Sequence, residues 1–160
     1  MQNPVVLAAV RGCLDAGWAA LRFNFAGVGA SGGGFSGGPE EVRDVAGAAD
    51  ALRTLLPPAT PLAIIGYSFG AWAGTRAAYD RDDVSRVIAV APPVGFFDWT
   101  FAGDLRAPLA VIVGDRDRFC PLDRARAVLP AGAEITTLPG ADHFLVGRDD
   151  DLAAVIRQRL

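Results

Sequence analysis

The stretch PLAIIGYSFGAWAGTRAAYD, residues 61–80, decides how the chain folds. Its first seven residues form a short apolar run that predicts a buried strand. The small residues that follow Ser68 predict a helix packed closely against that strand. GYSFG, residues 66–70, lies between the two elements. This G-x-S-x-G pattern is typical of a tight strand-to-helix turn with an exposed serine at its apex.

Strands and helices alternate along the rest of the chain as well. The predicted helices are NPVVLAAVRGCLDAG (3–17), a segment from Pro39 to Leu56, PLDRARAVL (121–129) and DDDLAAVIRQRL (149–160). The other predicted strands are WAALRFNF (18–25), SRVIAVA (85–91), PLAVIVG (108–114) and EITTL (134–138). Apolar strands that alternate with helices indicate a parallel sheet covered on both faces. We expect one domain over residues 1–160, a three-layer α/β/α sandwich with a mainly parallel sheet of about five strands.

Composition and charge exclude several classes of protein. The 160 residues suit a single domain, and 51% of them are hydrophobic, enough for a real core. The net charge of −3 argues against binding to nucleic acid. All 15 basic residues are arginines, which excludes chemistry based on a lysine. No apolar run reaches the roughly 18 residues of a membrane-spanning helix, so we expect no membrane partner. The two cysteines do not form a disulfide framework, and we therefore expect a cytoplasmic location.

The turn at GYSFG suits nucleophilic catalysis by Ser68. The turn lifts the hydroxyl out at the carboxyl end of the strand. It also directs the backbone N–H of Phe69 and the positive end of the helix toward an incoming oxyanion. The structural alternative is an ordinary glycine-bounded turn with a serine that caps the helix.

A serine nucleophile needs a base, and the base needs an acid to orient it. The single histidine, His143, follows the last predicted strand in LPGADHF, residues 138–144. Asp115 and Asp117 follow another apolar strand in VIVGDRDRFCP, residues 111–121. All three positions lie at the carboxyl ends of parallel strands, on the rim that carries Ser68. Either aspartate could face His143, and the other would be a solvated turn residue.

Five segments together resemble the α/β hydrolases, and most closely the small, cap-less bacterial hydrolases related to dienelactone hydrolase. They are LRFNFAGVGASGGGF (21–35), GYSFGAWAG (66–74), APPVGFFDW (91–99), GDRDRFCP (114–121) and LPGADHFLVGR (138–148). The resemblance implies a serine hydrolase with Ser68 as nucleophile and His143 as base. In that group the acid lies three residues after the glycine that closes its strand. Counting from Gly114, the resemblance implies Asp117 rather than Asp115.

The resemblance also implies a shortened fold. Members of the group carry some tens of residues before the helix that opens this chain. Those residues supply a central strand between ALRFNF and LAIIGY, and the loop after that strand usually gives a second oxyanion donor. Either the start of the sequence is misassigned, or we expect an N-terminally shortened α/β-hydrolase fold with an exposed sheet edge, through which a homodimer could form. As a hypothesis, the N–H groups around Gly27 to Gly29 replace the second donor.

These features predict an esterase-like hydrolase that cleaves a small ester or related acyl substrate through a Ser-His-Asp triad and an acyl-enzyme. This chemistry needs no metal and no cofactor. Within PPVGFFDWTF, residues 92–101, the side chains Phe96, Phe97 and Trp99 either wall an acyl pocket or pack in the core.

Two other functions fit parts of the sequence. The chain could be a non-catalytic or weakly active relative that serves as a binding or assembly module. Gly27, Gly29 and Gly32 also spell the G-x-G-x-x-G of dinucleotide-binding proteins. That fingerprint requires a helix that opens within the glycines. Here no helix is predicted before Pro39, which argues against a nucleotide site.

Overall fold

A computed structural model describes residues 2–160 of the chain. It contains five α-helices and four strands, which alternate after two opening helices, and one 3₁₀ helix at Thr100–Asp104. The helices are α1 (Pro4–Asp15), α2 (Pro39–Leu55), α3 (Phe69–Tyr79), α4 (Leu122–Val128) and α5 (Asp149–Arg159). The strands are β1 (Leu62–Tyr67), β2 (Val84–Val90), β3 (Leu109–Gly114) and β4 (Glu134–Leu138).

The four strands form one parallel sheet in the order β1-β2-β3-β4. Ile88 in the second strand pairs with Ile65 on one side and with Ala110 on the other. Because every strand points the same way, all four carboxyl ends lie on one rim of the sheet. The predicted α/β sandwich with a parallel sheet is confirmed.

Helices cover both faces of the sheet, and the apolar strands supply a core to each face. Successive residues of a strand point to opposite faces. Val87 and Ala89 accordingly join one buried cluster with α2 and α3, whereas Ile88 and Val90 join a second cluster with α1 and α5. All six residues of β3 are buried. This explains why the middle strands are apolar throughout instead of alternating with polar residues.

The helix ends follow local sequence signals. Asn3 caps α1, where its side-chain oxygen accepts hydrogen bonds from the N–H groups of Val5 and Val6. Pro39 begins α2 and Asp149 begins α5, each with acidic side chains in the first turn. None of the helices in residues 2–160 combines the length and the apolar character that crossing a bilayer requires.

The predicted strand at residues 18–25 does not form, so the sheet has four strands instead of about five. A strand exists only with a ladder partner. β1 pairs with β2 along one edge, and its other edge has no ladder partner among the described residues. Residues 18–25 face that edge across a groove and do not pair with it.

Candidate active site

Ser68 lies on a strained turn between β1 and α3. Its backbone has φ 53° and ψ −123°, a conformation that side-chain-bearing residues rarely adopt. The turn is tight because Gly66 has no side chain: a Cβ there would lie 2.0 Å from the carbonyl oxygen of Gly70. Phe69 begins the helix, where the first N–H groups have no partner within the helix.

His143 reaches Ser68 from the loop after β4. Its Nε2 lies 2.9 Å from Oγ of Ser68, within hydrogen-bond distance. Tyr67 also holds this loop, because its hydroxyl donates a hydrogen bond of 3.2 Å to the carbonyl oxygen of His143. His143 is only 7% exposed, so its imidazole is held largely out of solvent.

Asp117, and not Asp115, contacts His143. The Nδ1 atom of His143 lies 2.9 Å and 3.1 Å from the two carboxylate oxygens of Asp117. The N–H groups of Phe119 and Cys120 donate to the same carboxylate at 2.8 Å and 3.0 Å. Asp115 is exposed and accepts a hydrogen bond from the Gly140 N–H instead.

The loops that carry Asp117 and His143 are in close backbone contact at the end of β3. A Cβ at Gly114 would lie 2.2 Å from the carbonyl oxygen of Ala141, so only glycine allows this approach. The same carbonyl accepts a hydrogen bond of 2.9 Å from the Arg116 N–H. The chain therefore fixes the distance between the carboxylate and the imidazole through its backbone.

Aromatic side chains pack against Phe69, the residue after Ser68, and against His143. Phe69 contacts Phe97, whose ring stacks on Trp72 at 4.9 Å between centroids. On the other side, Phe119 packs over the His143 imidazole at 4.6 Å between centroids.

The three predicted pocket residues have different surroundings. Phe97 lies in the first aromatic group, against Phe69 and Trp72. Phe96 is 66% exposed and contacts Phe119 at 5.4 Å between centroids. Trp99 is 2% exposed and belongs to the core cluster with α3, where its indole nitrogen has no hydrogen-bond partner among the described residues. Phe97 thus packs on the residue after Ser68 and Phe96 packs on Phe119, whereas Trp99 packs in the core.

Turns within the glycine-rich loop use most of the N–H groups that the sequence suggested as oxyanion donors. The N–H of Gly27 donates to the carbonyl of Gly32, and the N–H of Val28 donates to the carbonyl of Phe25, both at 3.0 Å. Two of the three N–H groups around Gly27 to Gly29 are thus occupied by turns of the loop itself.

Carboxylates of α2 hold this loop in place. Glu41 is fully buried and accepts hydrogen bonds from the backbone N–H groups of Ser36 and Gly38 and from the Ser36 hydroxyl. Asp44 accepts a bond of 2.8 Å from the Ala26 N–H. A carboxylate of the protein thus occupies the N-terminus of α2, where a dinucleotide would place its pyrophosphate.

Several ionisable groups near the site have shifted pKa values. Burial raises the pKa of Glu41, but its hydrogen bonds with Ser36 and Gly38 outweigh burial and lower it to about 2. Burial, aided by the negative charge of Asp117, raises the pKa of Cys120 to about 12. The same two causes raise the pKa of Tyr67. The Cys120 thiol is therefore protonated and unreactive at neutral pH.

Tyr67, Phe119 and Glu41 were not identified as site residues from the sequence. Tyr67 precedes the serine of the G-x-S-x-G pattern, and Phe119 lies two residues after the acid. Their nearness in sequence to Ser68 and Asp117 was the only feature that could have identified them as site residues. Within residues 2–160, no group of three or more His, Cys, Asp or Glu side chains could hold a metal ion.

Solved structures with the same architecture include α/β serine hydrolases. No protein-family model matches the sequence. An uncharacterized protein of Rickettsia prowazekii is 30% identical over 171 residues, which cover 100% of this chain and 72% of the relative. A solved α/β serine hydrolase homologue from Coxiella burnetii is 30% identical with a TM-score of 0.91, covering 100% of this chain and 77% of its own. An α/β serine hydrolase without a lid from Xanthomonas campestris is 31% identical with a TM-score of 0.88, covering 99% and 72%.

Proposed function

Because the chain belongs to the α/β-hydrolase family, we propose that it is a serine hydrolase that cleaves small carboxylic esters through an acyl-enzyme. The proposal rests on two hydrogen-bond distances of 2.9 Å, one between Ser68 Oγ and His143 Nε2 and the other between His143 Nδ1 and Asp117. These two contacts connect a nucleophile, a base and an orienting acid in the arrangement that acyl transfer requires.

The proposed reaction has two steps. Ser68 Oγ attacks the ester carbonyl while Nε2 of His143 takes the hydroxyl proton and then gives it to the departing alcohol. A water molecule, activated by His143, then hydrolyses the acyl-serine and releases the acid. Asp117 accepts the hydrogen bond from Nδ1–H, which selects the tautomer with a free Nε2 and stabilises the imidazolium.

The developing oxyanion lies closest to the start of α3. The Phe69 N–H follows the nucleophile directly, and the positive end of the helix dipole adds to its effect. Phe69 is therefore the proposed oxyanion donor. Its side chain also contacts Phe97, so the same residue contributes to the apolar wall beside the reacting carbonyl.

The aromatic groups beside Ser68 favour small apolar acyl groups. Phe97 and Phe69 form one wall of the site, and Phe96 with Phe119 forms the other, on the side of His143. Acyl groups that contact these rings gain apolar burial of about 25 cal/mol per Å².

A fluorophosphonate probe and p-nitrophenyl acetate test the proposal on the purified chain. We expect the wild type to be labelled at one serine and to release p-nitrophenol, and Ser68→Ala to do neither. Ser85→Ala is the matched control, since Ser85 is exposed and its hydroxyl donates to the Leu62 carbonyl away from the site. If the wild type is labelled no better than Ser68→Ala, the chain is instead a non-catalytic binding or assembly module.

A further inference from the structure

Tyr67 is a large residue within a turn that requires only small neighbours. Gly66 must be small, because a Cβ there would meet the backbone of Gly70. The position between Gly66 and Ser68 has no such limit, and it holds a half-buried aromatic side chain with a hydroxyl. The contacts of this side chain, and not the shape of the turn, therefore indicate its role.

The alternation of β1 directs Tyr67 to the face of the sheet that the loop after β4, residues 139–148, also covers. Successive residues of a strand point to opposite faces. Ile64 belongs to the core cluster with α2 and α3, whereas Ile65 and Tyr67 pack against the cluster with α1 and α5. Leu145 of the loop belongs to this second cluster. Tyr67 and the loop thus meet on one face, at the carboxyl end of β1.

Two contacts join Tyr67 to His143. The Tyr67 hydroxyl donates a hydrogen bond of 3.2 Å to the carbonyl oxygen of His143. The Tyr67 ring lies 5.6 Å from the imidazole between centroids, with 33° between the two planes. Phe119 also contacts the imidazole, at 4.6 Å between centroids. Tyr67 therefore acts on the backbone of His143 with its hydroxyl and on the side chain with its ring.

The loop has few attachments to the strand that carries the nucleophile. Hydrogen bonds at Gly140 and Ala141 tie the loop to the turn of the acid. Within residues 2–160, two hydrogen bonds join the loop to β1 and Ser68, one from the Tyr67 hydroxyl and the other between Ser68 and His143. The second changes during the proposed reaction, because the serine proton moves to Nε2. The Tyr67 bond is therefore the attachment that stays in place while the proton moves.

The Tyr67 phenol keeps the proton that this bond needs. A carbonyl oxygen only accepts hydrogen bonds, so the bond to His143 exists only while the phenol is protonated. Burial, aided by the negative charges of Asp117 and Asp142, raises the pKa of Tyr67. The hydrogen bond therefore persists at neutral pH.

We propose that Tyr67 is a positioning residue for His143. Its hydroxyl fixes the backbone of the loop and its ring limits the tilt of the imidazole, so that Nε2 stays at hydrogen-bond distance from Ser68 Oγ. The inference rests on the proposed function, because it assigns a role within the same reaction. A misplacement of about 1 Å between reacting groups can lower a rate by about a hundredfold. Tyr67 thus contributes to kcat and not to substrate affinity.

Two substitutions of Tyr67 separate its hydroxyl from its ring. Tyr67→Phe removes the hydroxyl alone and should lower kcat for p-nitrophenyl acetate by roughly three- to tenfold with KM unchanged, the range for one lost hydrogen bond. Tyr67→Leu removes the ring as well and should lower kcat by about a hundredfold. Tyr79→Phe is the matched control and should equal the wild type, since Tyr79 ends α3 at the opposite end from Ser68 and contacts Phe101.

A second substrate distinguishes a positioning role from a general loss of structure. p-Nitrophenolate departs without a proton, whereas the alcohol of ethyl acetate must receive one from Nε2 of His143. Tyr67→Phe should therefore lower kcat/KM for ethyl acetate by a larger factor than for p-nitrophenyl acetate. Equal losses for the two esters, in proportion to the unfolded fraction measured by circular dichroism, would show a structural role only and would overturn the inference.

The imidazole can also be observed without turnover, because His143 is the single histidine of the chain. In ¹H–¹⁵N NMR spectra, Tyr67→Phe should shift the imidazole signals, and Tyr79→Phe should not. Unshifted signals or an unchanged kcat in Tyr67→Phe refutes the positioning role and leaves the proposed function standing. A wild type that neither reacts with the fluorophosphonate probe nor hydrolyses either ester refutes the proposed function, and the positioning role with it.

Discussion

At the scale of single residues, Asp115 and Asp117 show how two similar side chains acquire different roles. Both follow β3, and only one residue separates them. Asp117 is 5% exposed and contacts His143, whereas Asp115 is exposed and accepts a hydrogen bond from the Gly140 N–H. Asp117 orients the imidazole of His143, whereas Asp115 stabilises the turn that precedes His143. Only Asp117 can therefore affect the protonation and orientation of the proposed base.

This difference predicts opposite results for two identical substitutions. Asp117→Asn should reduce kcat for p-nitrophenyl acetate by a factor on the order of 10⁴, because an amide stabilises neither the required tautomer nor the imidazolium. Asp115→Asn should change kcat by only a few-fold. Steady-state kinetics on both variants checks the prediction. A loss of comparable size in the two would contradict the assignment of the acid.

Sequence reasoning from the residues alone could not choose between these aspartates. Both are short acids in the same loop, and the choice depends on the direction of a turn that β3 and the His143 loop shape together. The count from Gly114, taken from the resemblance, selected Asp117. The close approach of Gly114 to Ala141 is a long-range contact that no local pattern contains.

The Ser68 turn depends on one of its two glycines more than on the other. A Cβ at Gly66 would lie 2.0 Å from the Gly70 carbonyl oxygen, whereas a Cβ at Gly70 has no atom within 4 Å. Gly66→Ala should therefore lower the free energy of unfolding by about 1–3 kcal/mol or more. Gly70→Ala should leave it unchanged or raise it slightly, since alanine favours a helix by about 0.5–1 kcal/mol. Urea denaturation of both variants measures the difference, and equal stabilities would refute it.

At the scale of elements, residues 18–25 show the limit of pattern-based prediction. The segment has the composition of a strand, with Leu21, Phe23 and Phe25 at alternating positions. Its local preference for an extended chain is not sufficient, because strand formation also requires a neighbour at ladder distance. The strands that do form all have such a neighbour; the sequence predicted all four, three from apolar runs and β4 as a more polar strand.

The glycine-rich loop is an element that a buried carboxylate organises. Glu41 lies in the first turn of α2 and accepts hydrogen bonds from residues 36 and 38, so loop and helix form one unit. Phe35 of this loop packs on Phe69 at 5.3 Å between ring centroids. The position of the loop beside the nucleophile therefore depends on the charge of Glu41.

The lowered pKa of Glu41 predicts a specific pH dependence of stability. A carboxyl whose folded pKa is about 2 and whose usual value is 4.5 stabilises the fold fully above pH 4.5, and this contribution is lost as the pH falls toward 2. The wild type should thus be more stable than Glu41→Gln at neutral pH, and the difference should shrink between pH 4.5 and pH 2. Urea denaturation followed by circular dichroism at several pH values measures it.

Glu40→Gln is the matched control for this prediction. Glu40 is the preceding residue of α2, is exposed and pairs with Arg43 on the surface. Its substitution should change stability little at any pH, because exposed ion pairs contribute at most about 1 kcal/mol. A stability difference for Glu41→Gln that stays constant from pH 7 to pH 2 would show that the carboxylate charge has no part in holding the loop.

At the scale of the whole molecule, the strands of the sheet differ in burial and in the number of neighbouring strands with which they pair. β3 is buried along its full length and pairs on both sides, as does β2 with its partners. β1 is only partly buried over most of its length and, within residues 2–160, pairs on one side, although it carries the Ser68 turn at its end. The strand that positions the nucleophile is therefore less well protected than the strand that precedes the acid.

This asymmetry predicts the order in which the sheet opens. Amide hydrogens exchange through local opening, which is easiest where backbone hydrogen bonds are few and exposed. In the free chain, the amides of β2 and β3 should exchange slowest, at rates set by global unfolding, and the amides of β1 should exchange by a faster, local route. Hydrogen exchange followed by mass spectrometry, compared with the global stability from urea denaturation, separates the two routes. Protection of Leu62–Tyr67 equal to that of Leu109–Gly114 would mean that β1 is as firmly held as the centre of the sheet, and that its open edge does not weaken it.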